Sequence, residues 1–245
     1  MTRTPERVRD LLLVGLTFSS GAVDAISYFA LGKVFTAFMT GNLVFVGLSI
    51  AGAGTSDVVH AALSLAMFVA GVALSQSLLK PGSGHALWPP GVSVALALVV
   101  VAQACFLAVW LVTSGRPSHG SGALLVILSA LAMGIQSNAV RSLGVQAVFT
   151  TAATATLIAL AADLEAGNRS APERLRLTGI LVGLLAGACA GALVVVHARS
   201  YAAFLPLVVT TLVLGGAAAA FGTRGRELRP VVPRRLPPAG HGDRQ

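Results

Sequence analysis

The stretch GAVDAISYFALGKVFTAFMTGNLVFVGLSIAG, residues 21–52, decides how this chain is read. It is apolar enough to lie in a membrane, yet it holds Asp24, Lys33, Thr36, Thr40, Gly41 and Asn42. The rest of the chain shares its character. Of 245 residues, 55% are hydrophobic and only 11% charged, and the mean hydropathy is +0.82. A soluble domain carries about 25% charged residues. So little charge over such a length leaves too little polar surface to cover a globule, so the surrounding solvent is lipid.

Working outward, eight apolar segments of near-spanning length can be counted, at about 11–31, 34–52, 58–79, 91–112, 122–140, 145–162, 177–198 and 201–221. Short turns carrying Gly, Pro or charge separate them. The expected fold is an all-α polytopic integral membrane protein of six to eight transmembrane helices. Residues 1–10 form a basic N-terminus. The run from Leu11 to Leu31 is too long for a cleaved signal peptide. Residues 222–245, with six Arg and four Pro, cannot bury enough apolar surface to fold and read as a disordered tail. Trp88 and Trp110 fall at segment edges, where amphipathic rings favour the interface. Cys105 and Cys189 lie within apolar runs and read as small buried hydrophobes.

The net charge of +8 is explained by topology and does not call for nucleic acid as a partner. If all eight segments cross, 13 of the 17 Lys and Arg fall on the side of the termini. If segments two and six dip in without crossing, 14 do. Both counts put the termini in the cytoplasm and leave the crossing number open.

The opening stretch returns in weaker form 114 residues later. Ala25, Val34, Phe35, Thr36, Thr40 and Leu43 meet identical residues at 139, 148, 149, 150, 154 and 157, and Asp24 falls on Asn138. Each half, 11–113 and 122–221, holds four apolar segments in the same order. Two related halves are therefore expected, parallel if eight segments cross and inverted if six do, with a site at their interface.

Asp24 is the one carboxylate well inside an apolar segment, where a charge costs about 2.5–3.5 kcal/mol and must face protein or water. It reads as a coupling acid, or as an acid held by Asn138 or by Arg141, which shares a helix face with Asn138. Thr36, Thr40, Gly41 and Asn42 suit either a broken helix whose N–H groups meet a solute, or interhelical hydrogen bonding with close packing at Gly41. Thr150 and Thr154 are their counterparts, and Gln136 is a further polar residue in apolar surroundings. Gly179, Gly183, Gly187 and Gly191 recur every four residues and line one face for close helix packing. His60, His85, His119 and His241 stand in turns or the tail, His197 ends a span, and none has a second ligand at metal spacing. No catalytic motif, metal set or cofactor fingerprint is present, so no enzyme is expected.

The G-x-V-D-A, F-x-A-x-M-T-G-N and G-I-Q-x-N-A patterns in residues 21–52 and 128–151 resemble those of the bacterial YoaK-like membrane proteins, the domain of unknown function 1275. Ser137 is an insertion relative to the usual G-I-Q-N-A, and Ala155 stands where a Gly is common. The resemblance covers the chain to about Phe221 and implies a multi-pass bacterial inner-membrane protein of about six helices. It supplies no substrate and no catalytic residues. The residues lead to a small-solute transporter or channel, with proton coupling through Asp24 as one form of it. The alternative is a non-transporting membrane partner or assembly factor. The lipid bilayer is the partner that composition demands; the substrate and any homo-oligomer stay open.

Overall fold

A computed structural model describes residues 4–54, 56–79, 87–145, 153–166 and 170–222. Among these there are helices, turns and no strand. In chain order the helices are α1 (Thr4–Ala30), α2 (Met39–Ile50), α3 (Val58–Gln76), α4 (Pro90–Val112), α5 (His119–Ser142), α6 (Ala153–Ala166), α7 (Ala171–His197) and α8 (Phe204–Phe221), with a 3₁₀ turn at Arg199–Tyr201 before α8. Their starts follow from local chemistry. The Asp57 carboxylate accepts the N–H groups of Val59 and His60 at the head of α3, Pro89-Pro90 opens α4, and Ser170 with Glu173 forms a capping box on α7.

Among the described residues, six helices are long and apolar enough to cross a membrane. The 12 residues of α2 and the 14 of α6 reach only about 18 and 21 Å, short of a ~30 Å hydrocarbon core. These are the second and sixth apolar segments. Helix direction gives an independent test of the crossing number. Along α1 and α5, Gln136 meets the carbonyl of Leu16, while Thr36 bridges Ser27 to Ser129. The α1 number rises as the α5 number falls, so the two helices are antiparallel. First and fourth crossings run in opposite directions; first and fifth would run in the same one. Six crossings fit, and eight do not.

The centre of the bundle is α1 and α5, buried over 61% and 67% of their apolar stretches, whereas no other span exceeds 39%. Helix α1 lies along α7 and against α8, and α5 lies along α3 and against α4; α4 also meets α8. The short helices are peripheral, α2 on α3 and α6 on α7. Val14, Phe18 and Ala22 of α1 face Gly183, Gly187 and Gly191 of α7 in rising order, so these helices are parallel. Gly179 also faces Val14. A Cβ at Gly187 would run into the backbone of Phe18, and one at Gly191 into that of Ala22. This face is spent on packing inside the chain.

The outward faces carry large apolar side chains such as Val101, Val112, Leu185 and Leu212, as contact with lipid requires. Cys105 and Cys189 lie on these exposed faces and are not buried, because lipid asks only that a residue be apolar, not that it be enclosed. The tryptophans depart from expectation in the other direction. Both are buried: Trp110 donates from Nε1 to the carbonyl of Arg199, and Trp88 donates to Ser93 and stacks on Phe221. Arg7 and Arg9 lie within α1, where Asp10 pairs with Arg9 at 2.8 Å and reaches Arg176 at 3.7 Å. Residues 223–245, and with them most of the tail, lie outside the described residues, as do Thr150 and Thr151.

The α1–α7 seam can be tested directly. Gly187→Leu should cost at least the ~1–3 kcal/mol typical of overpacking, because the atom it meets is backbone that cannot turn aside. Gly215→Ala, whose Cβ meets nothing within 4 Å, should hold or raise stability by about 0.5–1 kcal/mol. Melting temperatures in mild detergent would separate the two.

Candidate functional site

Between α1 and α2 the chain leaves the helix and dips back into the bundle. Gly32 makes the turn at φ +90, a conformation open to glycine, and its carbonyl accepts the N–H of Asp57 at 2.9 Å. The chain then descends until Thr36 and Ala37 reach Asp24, six residues and so about 9 Å below the end of α1. A non-helical segment at that depth has no water to satisfy its backbone, so side chains must do so.

Asp24 and Asn42 of the opening stretch, with Ser64 of α3, do that work. Asp24 Oδ1 accepts the N–H groups of Thr36 at 2.9 Å and Ala37 at 2.8 Å. Asn42, fully buried on the first turn of α2, clasps one residue twice: its Oδ1 accepts the N–H of Phe35 at 2.9 Å and its Nδ2 donates to the Phe35 carbonyl at 2.6 Å. Ser64 of α3 donates to that same carbonyl at 2.7 Å. The buried Thr36 hydroxyl bridges Ser27 at 3.1 Å and Ser129 at 2.8 Å. Gly41 leaves room for the rings of Phe35 and Phe38, and Phe35 stacks between Tyr28 and Phe45.

Ser129 also borders a small cavity between α1, α4, α5 and α8. Its walls include Val23, Gln103, Phe106, Met133 and Pro206, and among the described residues no charged one lines it. Gln103 is buried, and neither its Oε1 nor its Nε2 has a hydrogen-bond partner among the described residues. A buried amide without partners costs free energy, about 1–3 kcal/mol per unsatisfied group, and so marks a place that a ligand or water could complete. Gln103 was legible in principle as one amide in the middle of an otherwise apolar span.

The other expected site residues are dispersed. The Asp24 carboxylate is held by loop backbone, not by Arg141 or Asn138. Arg141 is exposed near the end of α5, and Asn138 turns to α3, donating to Ser75 at 2.7 Å and accepting from Gln76 at 3.4 Å. Gln136 donates to the Leu16 carbonyl. Thr40 and Thr154 are exposed on the two short helices. A helix face can be read from spacing, but the depth at which a loop re-enters cannot, and that depth decides what Asp24 meets. The histidines also differ from expectation. His60 is buried, not solvated, and stacks on His119 with ring centroids 4.8 Å apart.

The family model described as "Protein of unknown function (DUF1275)" matches residues 12–217. The chain belongs to this family. Among curated relatives, the UPF0700 transmembrane protein YoaK of Bacillus subtilis (strain 168) is 35% identical over 161 residues, covering 66% of this chain and 69% of YoaK. No solved structure matches. The matched region of this DUF1275 member takes in the re-entrant loop, the cavity and both short helices.

The clamp reading makes a specific prediction. Both bonds fall on one Asp24 oxygen, so Asp24→Asn, which keeps a carbonyl there, should retain the fold with a modest loss. Asp24→Ala strands two buried N–H groups and should cost about 2 kcal/mol or more. Thermal unfolding of both variants in detergent tests the difference.

Proposed function

We propose that this protein is a transporter or channel for a small, uncharged, hydrogen-bonding solute, built from two related halves of inverted orientation. The observation that carries the reading is the Gln103 amide, buried on the wall of the central cavity with both polar atoms unpartnered. Ser129 supplies a hydroxyl on the same wall. The cavity has about 10 Å³, room for roughly one water in this conformation, so a solute would enter only as the surrounding helices part. An apolar wall with a few convergent polar groups is the usual form of a small-molecule site. A charged solute would need a counter-charge, and the lining has none.

The inverted halves are supported by the way the helices pair. The α1–α7 contact is matched by α5–α3, the α4–α5 contact by α8–α1, and the seat of α2 on α3 by that of α6 on α7. The α1–α5 and α4–α8 contacts map onto themselves. The cavity is bounded by these four helices, the position that inverted-repeat transporters give their substrate. With six crossings, the basic residues set both termini in the cytoplasm of a bacterial inner membrane. The reading includes no catalysis, since the cavity offers an amide and a hydroxyl and no paired base and nucleophile.

The glycine face of α7 lends no surface to the alternative, a non-transporting membrane partner. That face is occupied by α1. A proton-coupled form of the main reading rests on Asp24, whose link to Ser129 runs through Thr36.

Proteoliposomes test the reading. Light scattering after mixing with glycerol, urea and other small neutral solutes should reveal at least one that enters faster than into empty vesicles. Gln103→Leu should cut that flux by about tenfold or more, the loss of one ~1.4 kcal/mol interaction or greater, while leaving the fold as stable or more so. If Gln103→Leu destabilises the protein and flux per folded molecule is unchanged, the amide is structural and the reading fails. Flux in Asp24→Asn that keeps its dependence on a pH gradient removes proton coupling.

A further inference from the structure

We propose that Asp57, His60 and His119 form a binding site for a divalent cation of the zinc type, at the end of the bundle opposite the chain termini. The three residues come from the heads of α3 and α5. Each offers a ligand atom, and the three atoms lie within 4.8 Å of one another. Two imidazoles and a carboxylate are the donor set that favours zinc, cobalt, nickel or copper over magnesium or calcium. The set also matches a three-ligand site whose remaining position is open to water.

Geometry supports the assignment beyond composition. Asp57 Oδ2 lies 3.4 Å from Nδ1 of His119; it also lies 3.4 Å from Nδ1 of His60, the nitrogen that meets Leu31 and so not the one left for an ion. A charge-assisted hydrogen bond would draw these atoms to about 2.7–2.9 Å. Donors around a tetrahedral ion with bonds of about 2.0–2.2 Å stand roughly 3.3–3.6 Å apart, so the Asp57–His119 pair is already at that spacing.

His60 gives a second, independent indication. It is only 4% exposed, and its Nδ1 lies 3.0 Å from the carbonyl of Leu31. That contact puts the proton on Nδ1 and leaves the Nε2 lone pair, which is buried without a partner. Orientation of an imidazole by a backbone carbonyl, with the other nitrogen left for the metal, is the common outer-shell arrangement of metal-binding histidine. Gly122 keeps that edge of the ring clear, since a Cβ there would stand 3.2 Å from Cε1 and 3.8 Å from Nε2. His119 is 72% exposed at the side chain and can turn to close on an ion from the mouth of the site.

The site would also act on the fold. It joins the turn after α1, through Leu31, to the heads of α3 and α5, and so bears on the entry to the re-entrant loop. It shares no residue with the cavity, so its test is independent of the transport reading.

The experiment uses the full chain in mild detergent, purified without a polyhistidine tag and treated with chelator. Co²⁺ serves as the spectroscopic probe and Zn²⁺ as the competitor. The expected result is visible ligand-field absorption that saturates at one equivalent of Co²⁺, is displaced by Zn²⁺, and accompanies a rise in melting temperature. His119→Ala, at an exposed position, and Asp57→Asn, which keeps the helix cap, should each weaken binding at least about tenfold. His197→Ala should leave it unchanged. Absorption that does not saturate at one equivalent, or that is the same in His119→Ala and Asp57→Asn, overturns the proposal.

Discussion

The structure depends on how a non-helical backbone is satisfied inside lipid. Residues 32–38 enter the bundle without helical hydrogen bonds, and each polar backbone group left bare at that depth would cost several kcal/mol. Asp24 takes two of the N–H groups, and Asn42 with Ser64 takes both polar atoms of Phe35. The clamp has geometric consequences. It fixes where α2 begins and seats it on α3, which is why a helix too short to cross can stand in the membrane. It also aims the Thr36 hydroxyl at Ser27 and Ser129, which couples the loop to α5 and to the edge of the cavity. A charge that looks costly within an apolar span is therefore compensated by the loop it organises.

Much of this was legible in the sequence, though not all for the same reason. Lipid solvent follows from charge depletion, and eight apolar segments follow from run length, of which the structure makes six into helices long enough to span. The charge count allowed the second and sixth segments, the two short helices, to be non-crossing. Choosing six crossings over eight required helix direction, which comes from contacts such as Gln136 with Leu16 that are 120 residues apart. Asp24, Thr36 and Asn42 were recognisable as out of place, and they do converge. Their partners were not recognisable, because backbone groups carry no sequence signature. Gln103 is a lone amide and drew less notice than the clusters. His60 and His119 are separated by most of α3, all of α4 and the turns between, so no local spacing links them.

The departures from the proposed two-fold relation of the halves bear most on the proposed mechanism. At the 114-residue shift, Asp24 meets Asn138 and Gln103 meets Ala217. The first half thus spends its polar group on its own loop, whereas Asn138 in the second is spent on Ser75 and Gln76 of α3. The cavity receives its amide from the first half and its hydroxyl, through Ser129, from the second. Helix α2 is held by a network of buried hydrogen bonds, while α6 rests on α7 with Arg174 paired to the buried Asp163 at 2.8 Å. In an alternating-access cycle one half rocks against the other about the site. The half whose loop is clamped by Asp24, Asn42 and Ser64 is suited to be the rigid reference. A solute held between Gln103 and Ser129 would span both halves, so its binding energy bears on their relative position, and this is what a transport cycle requires of its substrate.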